Sequence, residues 1–305
     1  MAEYTFLEWS LTFLSTTQEY LMKTLKTKIF TRCPHGMLLL ALLTGFGSFR
    51  AEAQTIVNFE AEEGYTAGQT LIGQPTDAPH WLDTNSGNDS QDGTGQRTVL
   101  TGGTPGVQSG SNYAVLTRAS SEDSTALGSR YTFTEEPLTT EFSASATLAY
   151  AGSLSSNGNL YFALSSSSGN NYFNGIAVGF LRVGSTIEFG YRDGATWIGL
   201  GTDILPSTNT YYTFDLEVDP IGGTYDLTIY DTNGSLLITQ SDIGIRGGVT
   251  SFDMMVLRIA NANVGAALYA DSISVIPESN AYALLLGLVG LVSLVWRGRF
   301  RQHKR

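Results

Sequence analysis

The segment 211–229, YYTFDLEVDPIGGTYDLTI, decides the fold class of this 305-residue chain. Apolar and polar side chains alternate along 212–219, which is typical of an antiparallel strand with one buried face. Gly222-Gly223 separates this strand from a second alternating segment at 225–229, and Asn233-Gly234 then leads into further apolar residues. Both dipeptides are typical of tight hairpin turns. The segment therefore predicts consecutive antiparallel β-hairpins.

Similar short segments recur between Gln54 and Ile276, and none of them has a helical period. A β-propeller would need repeats of about 40 residues, and the sequence contains none. We therefore predict an all-β body at 54–276 with the architecture of a two-sheet antiparallel jelly-roll sandwich. Residues 83–103 are predicted to form one long loop, and further strands are predicted at 56–60, 113–118, 142–150, 159–165, 175–181, 186–191, 252–259 and 267–275.

The order of strands and turns between Tyr131 and Val275 resembles the concanavalin-like or LamG-like jelly roll. The resemblance lies in the strand 211–216, the Gly-Gly turn after it and the closing segment 268–275, LYADSISV. Members of that family bind glycans or act on them. The resemblance by itself implies neither activity.

Charge is distributed unevenly along the chain. The stretch from Gln54 to Ile276 has 7 Arg, no Lys and 23 Asp or Glu, which gives 7 − 23 = −16, whereas both chain ends are basic. This balance excludes nucleic acid as a partner of the body. It favours contact with cations, neutral glycans or basic surfaces, or serves only to keep the body soluble. The single cysteine, Cys33, precedes the body, which therefore has neither a disulfide nor a thiol nucleophile.

The N-terminal residues have the order of a secretory signal. Basic residues precede the short apolar run 37–43, and Ala51 and Ala53 form a small-x-small cleavage site. The run is too short to span a bilayer of about 30 Å. We therefore predict a signal region at 1–53 that engages the secretion machinery and is cleaved after Ala53. Either this region has a long basic part, or translation starts at Met22.

The C-terminal residues combine a Pro-Glu dipeptide, Pro277-Glu278, with the apolar segment 281–296 and a basic cluster at 297–305. On physical grounds this predicts a single transmembrane helix whose basic end is cytoplasmic. The combination resembles the PEP-CTERM sorting domain at 277–305, although Ser279 stands where that motif has a second proline. A permanent single-pass anchor is the alternative.

The PEP-CTERM resemblance implies a partner, a processing site and a destination. In that family an exosortase cleaves near the Pro-Glu motif, so Pro277 and Glu278 are the implied processing residues. The chain would be anchored transiently in the inner membrane of a Gram-negative bacterium. It would then pass to the cell surface or the extracellular matrix.

Two loops carry aromatic side chains of the kind that stack on sugar rings. Tyr191, Asp193 and Trp197 belong to a predicted hairpin with a charged turn, and Tyr172 and Asn174 belong to a second loop. We predict either loop as a glycan-binding site. The alternative is that these aromatic rings belong to the core.

The segment 83–89, DTNSGND, offers closely spaced oxygen atoms of the kind that bind calcium. Asp83, Asn85 and Asp89 are the candidate ligands. The segment is not an EF-hand, because Thr94 stands where that loop has its last glutamate. A solvated loop is the alternative, and no other cofactor is predicted.

Asp271 lies in a predicted strand and alternates with Tyr269, Ile273 and Val275. It is therefore predicted to face their side of the sheet, unless a bulge shifts the register. A carboxylate in that position needs a partner, for which Arg258 or a backbone amide is predicted, with a metal ion as the alternative.

Recognisable catalytic motifs are missing from the sequence. A glycosidase needs two carboxylates about 5–9 Å apart, but Glu217 and Asp219 are not followed by the second glutamate of the Glu-x-Asp-x-x-Glu strand of jelly-roll glycosidases. His80 is the only histidine of 54–276, and no Gly-x-Ser-x-Gly motif accompanies it. We predict a non-catalytic exported module that binds or associates with polysaccharide. The alternatives are a glycosidase or lyase with acids on different strands, and a structural matrix or adhesin component.

Overall fold

The computed structural model describes residues 54–75, 79–84, 96–118, 126–133, 136–167 and 174–278. These residues form fifteen β-strands and one short 3-10 turn. No helix in this part of the chain is long and apolar enough to cross a membrane. The predicted signal region 1–53 and the apolar segment 281–296 lie outside the described residues.

Two antiparallel sheets contain the strands. The first sheet has the order β13-β12-β11-β6-β15-β4-β3, with β1 paired to the far part of β15, and the second has the order β10-β9-β8-β7-β14-β5-β2. In chain order the strands are β1 (Thr55–Val57), β2 (Leu82–Asp83), β3 (Gln96–Thr101), β4 (Asn112–Thr117), β5 (Ala126–Thr132), β6 (Phe142–Ala151), β7 (Leu154–Ser165), β8 (Ile176–Val183), β9 (Thr186–Asp193), β10 (Thr196–Gly199), β11 (Tyr212–Asp219), β12 (Thr224–Tyr230), β13 (Leu236–Gly244), β14 (Met254–Ala262) and β15 (Ala267–Pro277).

The two sheets enclose one apolar core. Phe214 of the first sheet and Phe180 of the second meet edge to face, with ring centroids 5.7 Å apart, and Phe189 meets Tyr212 at 4.8 Å. Each large apolar side chain buried in this way stabilises the fold by about 1.5–3 kcal/mol. The predicted all-β, two-sheet antiparallel body is confirmed, and the arrangement is consistent with a jelly-roll sandwich.

Two predictions of local structure are wrong. The predicted loop 83–103 contains β3, in which Val99 is fully buried; its alternation is too short to stand out among the surrounding Gly, Asn and Thr. The first strand ends at Val57, before the predicted Glu60. It ends there because Phe59 has a left-handed backbone (φ 60°), which interrupts the extended conformation.

A bulge in β15 puts side chains before and after it on opposite faces of the sheet, against the predicted alternation. Ala270 and Ser272 pair with consecutive residues of β6, so Asp271 is an extra residue in the ladder. Tyr269 consequently lies on the outer face, whereas Ile273 faces the core. The prediction that Asp271 shares a side with Ile273 is therefore wrong, because the register shifts within the strand.

The buried carboxylate of Asp271 holds the loop 102–111. Its Oδ1 accepts the backbone N–H of Gln108 at 2.9 Å, and its Oδ2 accepts the N–H and the hydroxyl of Ser109 at 3.0 and 2.8 Å. Burial raises the pKa of Asp271, and these hydrogen bonds oppose the increase. Backbone amides are therefore its partners, as one of the two predictions proposed, and the role of this acid is structural.

Candidate functional site

The outer face of the first sheet is polar and acidic along β6, β11 and β12, whereas Tyr113, Val115 and Tyr269 form an apolar cluster on β4 and β15. Asp215 and Glu217 of β11 point outward beside short hydroxyl side chains of β6. The Ser145 hydroxyl donates to Asp215 Oδ1 at 2.6 Å, and the hydroxyl oxygens of Thr147 and Thr213 are 3.3 Å apart. The hydroxyl groups of this face thus bond to one another and to the acids.

The outer face of the second sheet has a different chemistry. Tyr161 of β7 points outward, because its neighbours Leu160 and Phe162 point into the core. Residues directly opposite each other on antiparallel strands point to the same side, and the register extends the same face across the sheet. We call this surface the arginine-aromatic face and define it by Tyr161, Trp197, Arg130, Arg192, Arg246 and Arg258.

Three side chains form the centre of this face. Trp197 is paired with Arg192, whose guanidinium carbon lies 5.7 Å from the centroid of the indole ring. The rings of Trp197 and Tyr161 meet edge to face with centroids 5.2 Å apart. The first contact has the geometry of a cation–π interaction. Tyr161 is buried, whereas Trp197 and Arg192 are half-buried.

Glycines explain how these two rings meet. Tyr161 and Trp197 lie on strands three positions apart, a lateral separation of about 14 Å at about 4.8 Å per strand. Tyr161 is paired with Gly179 of β8, which is paired with Gly190 of β9. Neither glycine has a side chain that could separate the two rings. A Cβ on Gly190 would lie only 2.8 Å from Leu181 Cβ. Because these two positions carry no side chain, the rings of Tyr161 and Trp197 come into contact across them.

Four of the seven arginines of 54–276 belong to this face. Burial raises the pKa of the Tyr161 phenol, and Arg258, Arg192 and Arg246 oppose the increase. Burial lowers the pKa of Arg192, and the positive charges of Arg246 and Arg258 lower it further. The positive charges of these three arginines thus all act on one phenol. All four arginines of the face also interact with other groups of the chain.

Polar atoms complete the face. Among the described strand residues that point outward here, Glu188 is the single acid, and its Oε2 accepts the N–H of Gly201 at 2.9 Å. Within the described part of the chain, the buried Asn159 Oδ1 and Ser165 Oγ have no hydrogen-bond partner. An unsatisfied buried polar atom is costly and marks a position where water or a ligand forms a hydrogen bond.

The structure separates the residues of the first predicted glycan loop. Trp197 lies on the arginine-aromatic face, but Tyr191 pairs with Ile198 and packs on the core side of the sheet. Asp193 is the last residue of β9, and its Oδ1 accepts the N–H of Gly244 at 3.0 Å. Only Trp197 of the three is therefore placed to contact a ligand together with Arg192.

The second predicted loop approaches the same edge of the face. Asn174 lies against Gly247, where an added Cβ would be 2.7 Å from Asn174 Cγ. The neighbouring Gly175 and Arg246 exchange backbone hydrogen bonds of 2.9 and 3.1 Å. Tyr172 lies outside the described residues. The segment 244–247 thus contacts both predicted loops.

Asp83, a predicted calcium ligand, forms an ion pair. Its Oδ2 lies 3.0 Å from Arg97 Nη1, and the pair joins β2 of the second sheet to β3 of the first. Asn85 and Asp89 lie outside the described residues. Among the residues that are described, no three His, Cys, Asp or Glu side chains are grouped so that they could hold a metal ion.

The predicted C-terminal processing residues adjoin the first sheet. Pro277 ends β15 opposite Phe142, and the N–H of Glu278 donates to Glu141 O at 3.2 Å. Ala51 and Ala53 lie outside the described residues.

Tyr161, Arg130 and Arg246 were not singled out from the sequence, and Arg258 was named only as a predicted partner of Asp271. Strand alternation predicts that Arg258 points outward, because it stands between the core residues Leu257 and Ile259. Alternation does not reveal which strands are neighbours, and only the pairing of β14 with β7 places Arg258 beside Tyr161.

Comparison with known proteins shows remote similarity only. No family model and no curated protein matches the chain. Among solved structures, a protein of unknown function from Shewanella oneidensis MR-1 has a TM-score of 0.46 and 14% identity, covering 80% of this chain and 93% of that one. A cellulose induced protein has a TM-score of 0.45 and 12% identity, with coverages of 73% and 97%. Lectin I from Ulex europaeus has a TM-score of 0.39 and 11% identity, with coverages of 64% and 96%. Scores at this level do not place the chain in any of these families.

Proposed function

We propose that this chain is an exported, non-catalytic glycan-binding module of the cell surface or extracellular matrix, and that the arginine-aromatic face is its ligand surface. The observation that carries the proposal is the half-buried Trp197 held between Arg192 and Tyr161. An aromatic ring supplies apolar area for the face of a sugar, and guanidinium groups supply planar hydrogen-bond donors for its oxygens. Small-ligand sites combine these two features.

The rest of the face supports the same role. Gly179 and Gly190 have no side chain that would separate the rings of Trp197 and Tyr161, so the two rings form one aromatic surface. Asn159 and Ser165 have polar atoms without a hydrogen-bond partner among the described residues. A glycosidase needs two carboxylates, whereas the strand residues described on this face include only Glu188.

Export and sorting complete the proposal and rest on the order of features at the chain ends. The basic and apolar residues before Ala53 support secretion, and the Pro277-Glu278 motif with the segment 281–296 and the basic end supports exosortase sorting. Glu278 is exposed at the end of β15. Cleavage on its C-terminal side would leave that strand intact.

A glycan array with the protein purified after expression of the full chain tests the function. We expect Trp197→Ala to weaken binding by about tenfold, equivalent to about 1.4 kcal/mol, because the stacking ring is lost. The matched control is Tyr230→Ala, which removes an aromatic side chain paired with Thr213 on the outer face of the opposite sheet and should leave affinity unchanged. Binding to no glycan, or equal binding by the Trp197→Ala variant, would refute the proposal.

A further inference from the structure

From the arginine-aromatic face we infer the ligand class: an anionic polysaccharide whose repeating units carry uronate carboxylates or sulfate esters. This inference rests on the proposed glycan-binding function and goes beyond it by specifying charge. The formal charge of −16 over residues 54–276 does not predict an anionic ligand.

Positive charge is concentrated on the arginine-aromatic face. Four of the seven arginines of this acidic body belong to it, three on strands and Arg246 at an isolated bridge, and the described outward strand residues of the face include only one acid. Positive charges on one face repel one another, and a bound anion relieves that repulsion. The face is therefore suited to negative charge.

The guanidinium groups of this face have the chemistry that binds anionic groups. Arg192 and Arg258 lie on either side of Tyr161, on β9 and β14, which are three strand spacings or about 14 Å apart. A guanidinium has five N–H donors in a plane and binds carboxylate or sulfate oxygens in pairs. Both arginines also interact with other groups of the chain. Donors at several points across a face match a polymer that repeats its charge.

The outer faces of the two sheets differ in charge. The first sheet presents Asp215 and Glu217 outward and Asp226 on the neighbouring strand. A polyanion is repelled by that face and attracted by the opposite one, so the field of the protein orients the encounter. The ring of Trp197 next to Arg192 then adds an apolar contact, which distinguishes a sugar from a simple anion.

The test measures affinity of the purified protein for a polyuronate, a sulfated polysaccharide and a neutral glucan of matched length. We expect at least one charged polymer to bind about tenfold or more tightly than the glucan, and its affinity to fall with added salt because exposed charges are screened. A preference between the two charged polymers identifies which anionic group is recognised.

Substitutions locate the binding surface. Arg192→Gln and Arg130→Gln should each weaken binding of the charged polymer by about threefold to tenfold, whereas Arg182→Gln should change it less than twofold. Arg182 is the matched control because it bonds to backbone carbonyls of Gly184 and Leu154 at the strand end. Circular dichroism and the melting temperature establish that each variant is folded, and two separate arginine variants prevent one misfolded protein from deciding the result.

Two results would overturn the inference alone. Equal or tighter binding of the neutral glucan, still dependent on Trp197, would refute the anionic class and leave the glycan-binding function standing. Charged-polymer binding that neither Arg192→Gln nor Arg130→Gln reduces would show that another surface binds it. Binding of no polymer at all would refute both the inference and the proposed function.

Discussion

Replacement of Asp271 by alanine should destabilise the body strongly although this residue is remote from the arginine-aromatic face. The substitution removes the acceptor of three hydrogen bonds, from two backbone amides and one hydroxyl of Gln108 and Ser109. Hydrogen bonds to a charged group contribute about 1.5–3 kcal/mol each, but the exposed loop donors can bond to water in the variant. We therefore expect a loss of about 3 kcal/mol in the free energy of unfolding.

Urea denaturation and thermal melting measure this loss. For a body of this size, a loss of about 3 kcal/mol corresponds to a melting temperature lower by about 6–12 °C. Hydrogen exchange of the amides of 102–111 should accelerate, since their tether to the sheet is gone.

Asp219→Ala is the matched control for this substitution. Its carboxylate also accepts two backbone N–H groups, from Ile221 and Gly222 at 3.0 and 2.7 Å, but within one local turn. We expect a cost of about 1 kcal/mol or less at this site. If Asp271→Ala costs no more than Asp219→Ala, the assignment of Asp271 as the tether of the loop is refuted.

Three further substitutions test the interior. Tyr65→Phe removes the acceptor of the buried Trp81 Nε1–H, 2.9 Å away, and should lower the free energy of unfolding by about 1–3 kcal/mol in urea denaturation; an unchanged value would contradict the bond. Ser129→Ala removes a fully buried hydroxyl that has no partner in the described part of the chain, and should raise the same free energy by about 1 kcal/mol; a loss would show that the hydroxyl is bonded. Asp83→Asn should cost about 3 kcal/mol by leaving buried Arg97 without its ion-pair partner, equally in calcium and in chelator; a loss seen only with calcium would instead support the predicted calcium loop.

Strand alternation made the architecture predictable. Phe214, Leu216 and Val218 share one face of β11 in the sequence pattern, and all three are buried in the core. The hairpin between β11 and β12 follows from Gly222-Gly223, because glycine permits the turn. Both features are local, so neighbouring residues suffice to predict them.

Features that depend on strand pairing were not predictable in the same way. The orientation of Asp271 depends on a bulge against β6, which no residue of β15 reveals by itself. The basic face is also non-local, because Arg192, Arg246 and Arg258 come from separate segments and converge on Tyr161 only through the sheet. Net charge averages over the whole body and therefore favoured cationic or neutral partners, while the fold separates an acidic face from a basic one.

A crystal structure of the protein with an acidic oligosaccharide bound would show which face binds the ligand. We expect a sugar ring stacked on Trp197, with a carboxylate or sulfate group within hydrogen-bond distance of Arg192 or Arg258. A ligand bound to the acidic outer face of the first sheet, around Asp215, would refute the assignment of the arginine-aromatic face as the binding surface.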